Sequence, residues 1–413
     1  MSEVEHRILR NARLVDGRHV DLEIADERIA AVAEPGTVAA EEGTAVDDLG
    51  GWLVLPAMAE PHAHLDKALT AEAVPNPRGD LMGAIEAWTS AAEAGRFTHN
   101  DMVERATAAL ELLLGHGVTA VRSHVNCGEE VGASSVEALV EVRDAFAGLV
   151  DLQLVALPHC PLTGAQGAGN RAGLDAAMAA GADLVGGCPH LDPDGPGLIT
   201  HALAVAADAG VGVDLHVDET LNADMLTLRD LAEVVRRVDF AHPVAASHCV
   251  SLGMQPPEVQ KEVARALAEA GIAVIPLPQT NLFLQGRDLP TATPRGLTAL
   301  DALTEAGVLV AAGADNVQDP FNLVGRSDPL ETAALLVMAG HRLPDAAYEM
   351  VSTNVRQVMG LEPVELAPGH PADLVAIDAP SVRGAIADAP MSRRTYRNGV
   401  LVASSDTTTT IHH

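Results

Sequence analysis

Apolar and polar positions follow two regimes along this chain. Near both ends they alternate with a period of two, whereas in between amphipathic helical stretches feed short apolar runs. The N-terminal alternation covers 8–15, 21–24 and 28–32, with Asp16-Gly17 and Asp26-Glu27 as the turns between them. Half-buried strands separated by turn residues predict a small antiparallel β unit. A matching pattern returns at 372–377 and 394–402. Neither piece is long enough to bury a core alone, so the two ends are expected to join.

Between them one unit repeats: helix, glycine, apolar strand. Positions 102–114 have helical spacing, stop at Gly115-His116-Gly117 and lead into 118–124. Gly181, Gly210, Gly271 and Gly307 stand in the same place before 182–186, 211–216, 272–275 and 308–312. Glycine there is the residue that ends a helix. With 52–56, 152–157 and 244–248, the apolar runs number eight. Eight strands alternating with helices predict a closed α/β barrel of the TIM-like (β/α)8 type, carrying a small β-sandwich domain built from both chain ends. The expected boundaries are 1–57 and 364–405 for the two parts of the small domain, 58–363 for the catalytic barrel and 406–413 for a tail. The closing His412-His413 pair reads as a tag remnant. An open doubly wound sheet is the alternative, disfavoured because no glycine-rich phosphate fingerprint follows an early strand.

Composition narrows the partners. The chain of 413 residues is 48% hydrophobic but only 2% aromatic, so its core must be packed with alanine, valine and leucine. A net charge of −31 argues against nucleic acid or an anionic membrane as partner. No basic, then apolar leader opens the chain, and no run approaches the roughly 20 apolar residues of a membrane span. Cys127, Cys160, Cys188 and Cys249 lack CxxC spacing, which predicts no disulfide framework and a cytoplasmic compartment. Homo-oligomerisation is left open.

In a barrel of this kind, chemistry collects at the C-terminal strand ends. Those ends carry His62 and His64, His124, His159, His190, His216 with Glu219, His248, and Asp315 with Asn316. His62 and His64, two apart at a strand end, project to one side and offer two imidazoles to one divalent cation. One histidine at a strand end is more often packed than ligating. So many converging, with carboxylates at the fifth and eighth strands, point to a metal site. His6, His19, His99, His201, His242, His341 and His370 fall in peripheral strands, helices or loops and read as surface residues.

Six motifs taken together resemble the amidohydrolase superfamily and, within it, the cytosine deaminase branch. They are Pro61-His62-Ala63-His64-Leu65-Asp66, Val121-Arg122-Ser123-His124-Val125, Asp214-Leu215-His216-Val217-Asp218-Glu219, Ala246-Ser247-His248, the run 281–287 and the run 313–320. The resemblance spans nearly the whole chain. It implies that His62, His64, His216 and Asp315 ligate one divalent metal ion, zinc or iron. It further implies that Glu219 shuttles protons, and that His248 hydrogen-bonds the water on the metal instead of ligating. His159, Asn316, Phe321 and Leu81 would face the substrate. Superfamily members with two metals need a carboxylated lysine at the fourth strand end. The chain's two lysines are Lys67 and Lys261, and that strand ends Gly186-Gly187-Cys188-Pro189-His190, so one metal is expected.

Four departures touch the pocket and spare the metal chemistry. His159 stands where the branch usually has a glutamine, and Asn316 where a second aspartate is typical. Gly313-Ala314 replaces Gly-His, and Phe321 stands in place of a tryptophan. The expected activity is therefore hydrolytic deamination of a small cyclic amidine-type N-heterocycle other than cytosine. The enzymatic alternative is removal of an alkylamine from an aminotriazine, as in isopropylammelide hydrolases. A catalytically inactive homologue acting by association is a third reading, against which the intact set of motif residues argues.

Overall fold

A computed structural model describes residues 6–412, so the closing His413 and the first residues of the expected small domain lie outside it. The chain opens with five strands: β1 (His6–Arg13), β2 (His19–Ala25), β3 (Arg28–Ala33), β4 (Ala45–Asp48) and β5 (Leu53–Pro56). Seven more alternate with helices: β6 (Met58–Ala63), β7 (Val118–Cys127), β8 (Asp151–Pro158), β9 (Leu184–Val185), β10 (Val213–Val217), β11 (Val244–His248) and β12 (Ile272–Ile275). The last three are β13 (Leu374–Ile377), β14 (Arg393–Arg397) and β15 (Val400–Ser405). They form two sheets. One is a mixed sheet in the order β15-β14-β13-β5-β1-β2-β3, with β4 alongside β1, and it unites the two chain ends as expected. The other is the parallel barrel wall, β6 through β12 in sequence order.

The barrel's first strand is β6, not the 52–56 run. Leu53–Pro56 pairs antiparallel with β13, Leu55 opposite Val375, and belongs to the mixed sheet. The change of sheet takes one residue: Ala57 N–H donates to Asp373 O, and Met58 N–H to Gly117 O. Apolar residues run from Leu53 to Ala59 across the end of β5 and the start of β6, and an apolar run does not say which neighbour it pairs with. At the eighth position the chain makes bridges instead of a regular strand. Val310 pairs with Val274 and Asp315 with Ala63, which brings the end of the barrel wall back to β6.

Glu60 fastens that closure. Its carboxylate accepts from His62 N–H at 3.0 Å and from Ala314 N–H at 2.9 Å, tying the first strand to the eighth. Gly313 makes the approach feasible, because a Cβ there would lie 2.1 Å from Glu60 Oε1. The predicted grammar of helix, glycine and strand holds at Gly210 and Gly271, both left-handed residues ending helices. Small side chains fill the barrel's lower interior, where Ala59, Ala120, Ala245, Ala273 and Ala311 pack together. No helix of the described residues is long and apolar enough to cross a membrane.

The mixed sheet is pinned to the barrel by a buried charge. Arg393, on β14, makes a two-pronged pair with Asp328 at 2.9 and 2.6 Å and donates to His116 O at 2.8 Å. Removing one partner of such a pair strands the other charge, at a cost of about 3–5 kcal/mol. Arg393→Met is therefore expected to lose that much stability in urea denaturation followed by circular dichroism. Removing the exposed Arg18, paired only with Asp16, should shift the midpoint little.

Candidate active site

The barrel's strand ends converge as its parallel topology requires. His62 is the penultimate residue of β6, His64 follows that strand, His216 lies on β10 and His248 ends β11. Asp315 stands beside Ala63 through the closing bridge. His248 and Asp315 both have left-handed backbones, with φ of 68° and 69°. The conformation is uncommon for residues with a Cβ, and it turns the chain sharply where each side chain must face the barrel axis. Asp218 is left-handed too, and its carboxylate caps the helix Thr227–Val238 through Thr227 N–H and Leu228 N–H. That cap fixes the turn carrying the neighbouring Glu219.

At the centre, His62 Nε2 lies 3.1 Å from His216 Nε2, and His64 Nε2 lies 3.2 Å from both His216 Nε2 and Asp315 Oδ1. All four residues are buried. Burial, reinforced by neighbouring histidines or Lys67, holds the three imidazoles well below their ordinary pKa, so they stay neutral. Burial first, then Glu219, drives the Asp315 carboxyl well above its ordinary range, and Oδ1 has no hydrogen-bond partner. Three ring nitrogens thus converge with a buried carboxylate oxygen that has no hydrogen bond of its own. Ligands at roughly 2.0–2.1 Å on a tetrahedral cation sit about 3.3 Å apart, so these donors fit one divalent ion.

The surrounding shell orients the donors. His62 Nδ1 meets Ser247 Oγ at 2.8 Å, and Ser247 donates to Asp214, itself paired with Arg122 at 2.7 Å. A second set, His62, His124 and Asp214, is close enough to bind an ion, but Asp214 is already taken by Arg122 and Ser247. His124 stacks on His62 with 3.9 Å between ring centroids and supports it from behind. His190 likewise backs the centre, its Nδ1 3.2 Å from His216 O.

Above the centre opens a cavity of about 450 Å³. Each pocket residue expected from the sequence lines it: Glu219, His248, His159, Asn316, Phe321 and Leu81. Glu219 is buried, and burial pushes its carboxyl up to about 8. Its Oε1 lies 3.7 Å from His248 Nδ1, which is held by Asn281 Oδ1 at 3.1 Å and leaves Nε2 unpartnered. Asn316 donates to Asp319 at 2.7 Å, which sets its amide orientation. Sequence reasoning passed over Lys67, Asn126 and Trp88, which also line the cavity. Two signals were available. Lys67 is one of only two lysines and directly follows the histidine motif, and Asn126 shares a strand face with His124 by the period of two.

The family model described as "Amidohydrolase family" matches residues 96–403. A pterin deaminase from Rhizobium rhizogenes is 35% identical over 365 residues, covering 87% of this chain and 82% of that protein. The solved 5-methylcytosine deaminase from Klebsiella pneumoniae, liganded with 5-fluorocytosine, superposes with a TM-score of 0.87 at 28% identity. The match spans 98% of this chain and 99% of that one. N-isopropylammelide isopropylaminohydrolase from Burkholderia multivorans superposes with a TM-score of 0.83 at 28% identity, over 97% of this chain and 98% of that one.

Dialysed protein loaded with zinc or iron(II) should retain one equivalent of metal by plasma mass spectrometry, and Asp315→Ala and His216→Ala should retain little. Two retained equivalents, or full retention by both variants, would contradict the four-donor centre.

Proposed function

The chain belongs to the amidohydrolase family of metal-dependent enzymes that hydrolyse C–N bonds, and from that premise we propose that it deaminates an aminated, oxo-bearing N-heterocycle, with one divalent ion held by His62, His64, His216 and Asp315. The observation that carries this reading is that the four-donor centre opens into a cavity also lined by the buried Glu219. When bound, the cation would lower the pKa of a water and so supply the nucleophile. The remaining work falls to the chain's own side chains.

Asp315, which lines the cavity, accepts a proton from the attacking water. His248, oriented by Asn281, gives the same water a polar contact through its free Nε2. Glu219, whose carboxyl is pushed up by burial, delivers a proton to the ring nitrogen of the amidine. A C–O bond forms and the exocyclic C–N bond breaks: the amine takes the proton that Asp315 received and leaves as ammonia, while the proton of the new hydroxyl returns to Glu219 as the carbonyl forms.

The 35% identity to a pterin deaminase favours ammonia as leaving group and a two-ring substrate such as pterin. Cytosine should be a poor substrate. Where a glutamine amide offers a donor and an acceptor side by side, His159 offers them on different edges. Removal of an alkylamine from an aminotriazine would use the same centre and is separated by its product.

Ammonia release should be measured from pterin, cytosine and 5-methylcytosine, and isopropylamine release from N-isopropylammelide. Pterin should turn over fastest; efficient turnover of cytosine, or of N-isopropylammelide alone, would overturn the substrate assignment. Glu219→Gln should retain its metal and lose about 10²–10⁴ in rate. Loss of metal by this variant in a folded state would make Glu219 a ligand and refute its role in proton transfer.

A further inference from the structure

One wall of the cavity is a hydrogen-bonded chain that the reaction just described does not use. Lys67 is buried between the rings of Trp88 and Phe321, its Nζ 5.7 and 5.8 Å from their centroids. That nitrogen lies 3.0 Å from His64 Nδ1 and 2.9 Å from Asn126 Oδ1. Asn126 Nδ2 in turn lies 3.3 Å from His159 Nε2. Lys67, Asn126 and His159 all line the cavity.

The directions of these bonds follow from donor counting. An ammonium has only N–H groups to give. With His64 Nε2 offered to a metal, the hydrogen of that neutral ring sits on Nδ1, so an amine must turn its lone pair there and also has only N–H groups left for Asn126. In both cases Lys67 is the donor, so the oxygen of the Asn126 amide must face it and the NH2 must face His159. His159 Nε2 is then an acceptor. Burial first, then the nearby Lys67, lowers the His159 pKa, which leaves its imidazole neutral with a single hydrogen. With Nε2 accepting, that hydrogen belongs on Nδ1, which has no hydrogen-bond partner among the described residues.

We infer that Lys67 and Asn126 lock His159 in its Nδ1–H tautomer and so make it a fixed hydrogen-bond donor to the substrate. The ring bound here must offer His159 an acceptor, a carbonyl oxygen or an unprotonated ring nitrogen, and a ring presenting N–H at that edge is rejected. Lys67 and Asn126 are positioning residues in this scheme, and His159 sets specificity. The substrate consequence rests on the deaminase reading of the pocket, whereas the tautomer itself does not.

The test is a long-range proton–nitrogen NMR correlation on full-length, zinc-loaded protein labelled with ¹⁵N-histidine, with the His159 signals assigned by their loss in His159→Gln. Couplings to the carbon-bound ring protons report which nitrogen carries the hydrogen. The wild type should show His159 as the Nδ1–H form. Asn126→Asp presents a carboxylate oxygen to Nε2 and should move the hydrogen to Nε2, with metal content unchanged and kcat/KM for pterin lowered at least tenfold. An Nε2–H form in the wild type would overturn the inference, as would an unchanged tautomer in a folded Asn126→Asp. Apart from the His159→Gln reference used for assignment, the wild-type spectrum needs no variant and no activity. A protein showing the expected tautomer but releasing no ammonia from any heterocycle would refute the deaminase reading and leave the lock standing.

Discussion

Everything in this molecule is arranged around a buried charge deficit. Three neutral imidazoles and one carboxylate converge, with His216 Nε2 3.1 Å from His62 Nε2 and 3.2 Å from His64 Nε2, and His64 Nε2 3.2 Å from Asp315 Oδ1. Left alone, such a cluster is costly, because the buried Asp315 Oδ1 and His216 Nδ1 have given up water without gaining a hydrogen bond. One divalent ion removes the deficit at a stroke. Metal binding and local folding of the strand ends are thus expected to be linked.

The barrel exists, in functional terms, to hold those four donors still. Strand ends from opposite parts of the chain, near residues 62, 216 and 315, can meet only if the wall closes, and the eighth segment closes it through bridges instead of a full strand. Glu60 and Gly313 bear that closure, two residues away from His62 and Asp315 respectively. The left-handed turns at Asp218, His248 and Asp315 then aim the side chains. Strain of this kind is tolerated where surrounding contacts over-determine it, as the capping of a whole helix by Asp218 illustrates.

The histidine motif and the recurring helix–glycine–strand units were legible in the sequence because periodicity and helix termination are local. Sheet membership was not. The 52–56 run has the composition of a barrel strand, yet it pairs with β13 more than 300 residues away, and only the hydrogen bonds of Ala57 and Met58 reveal the switch. The parallel strand β4 and the helix Val382–Asp388 were also missed, both being short and weakly patterned. In the site, residues carrying obvious metal chemistry announced themselves, whereas Lys67 and Asn126 act through partners that sequence spacing does not connect. Their contacts reach 59 residues along the chain, from β6's end to β7's.

The central claim, that one cation is held by four donors from three distant parts of the chain, is tested most directly by anomalous diffraction from crystals of the zinc-loaded protein. A single strong peak is predicted, about 2.0–2.2 Å from the Nε2 atoms of His62, His64 and His216 and from a carboxylate oxygen of Asp315. A second strong peak, or a single one seated between His124 and Asp214 and out of reach of Asp315, would contradict the account.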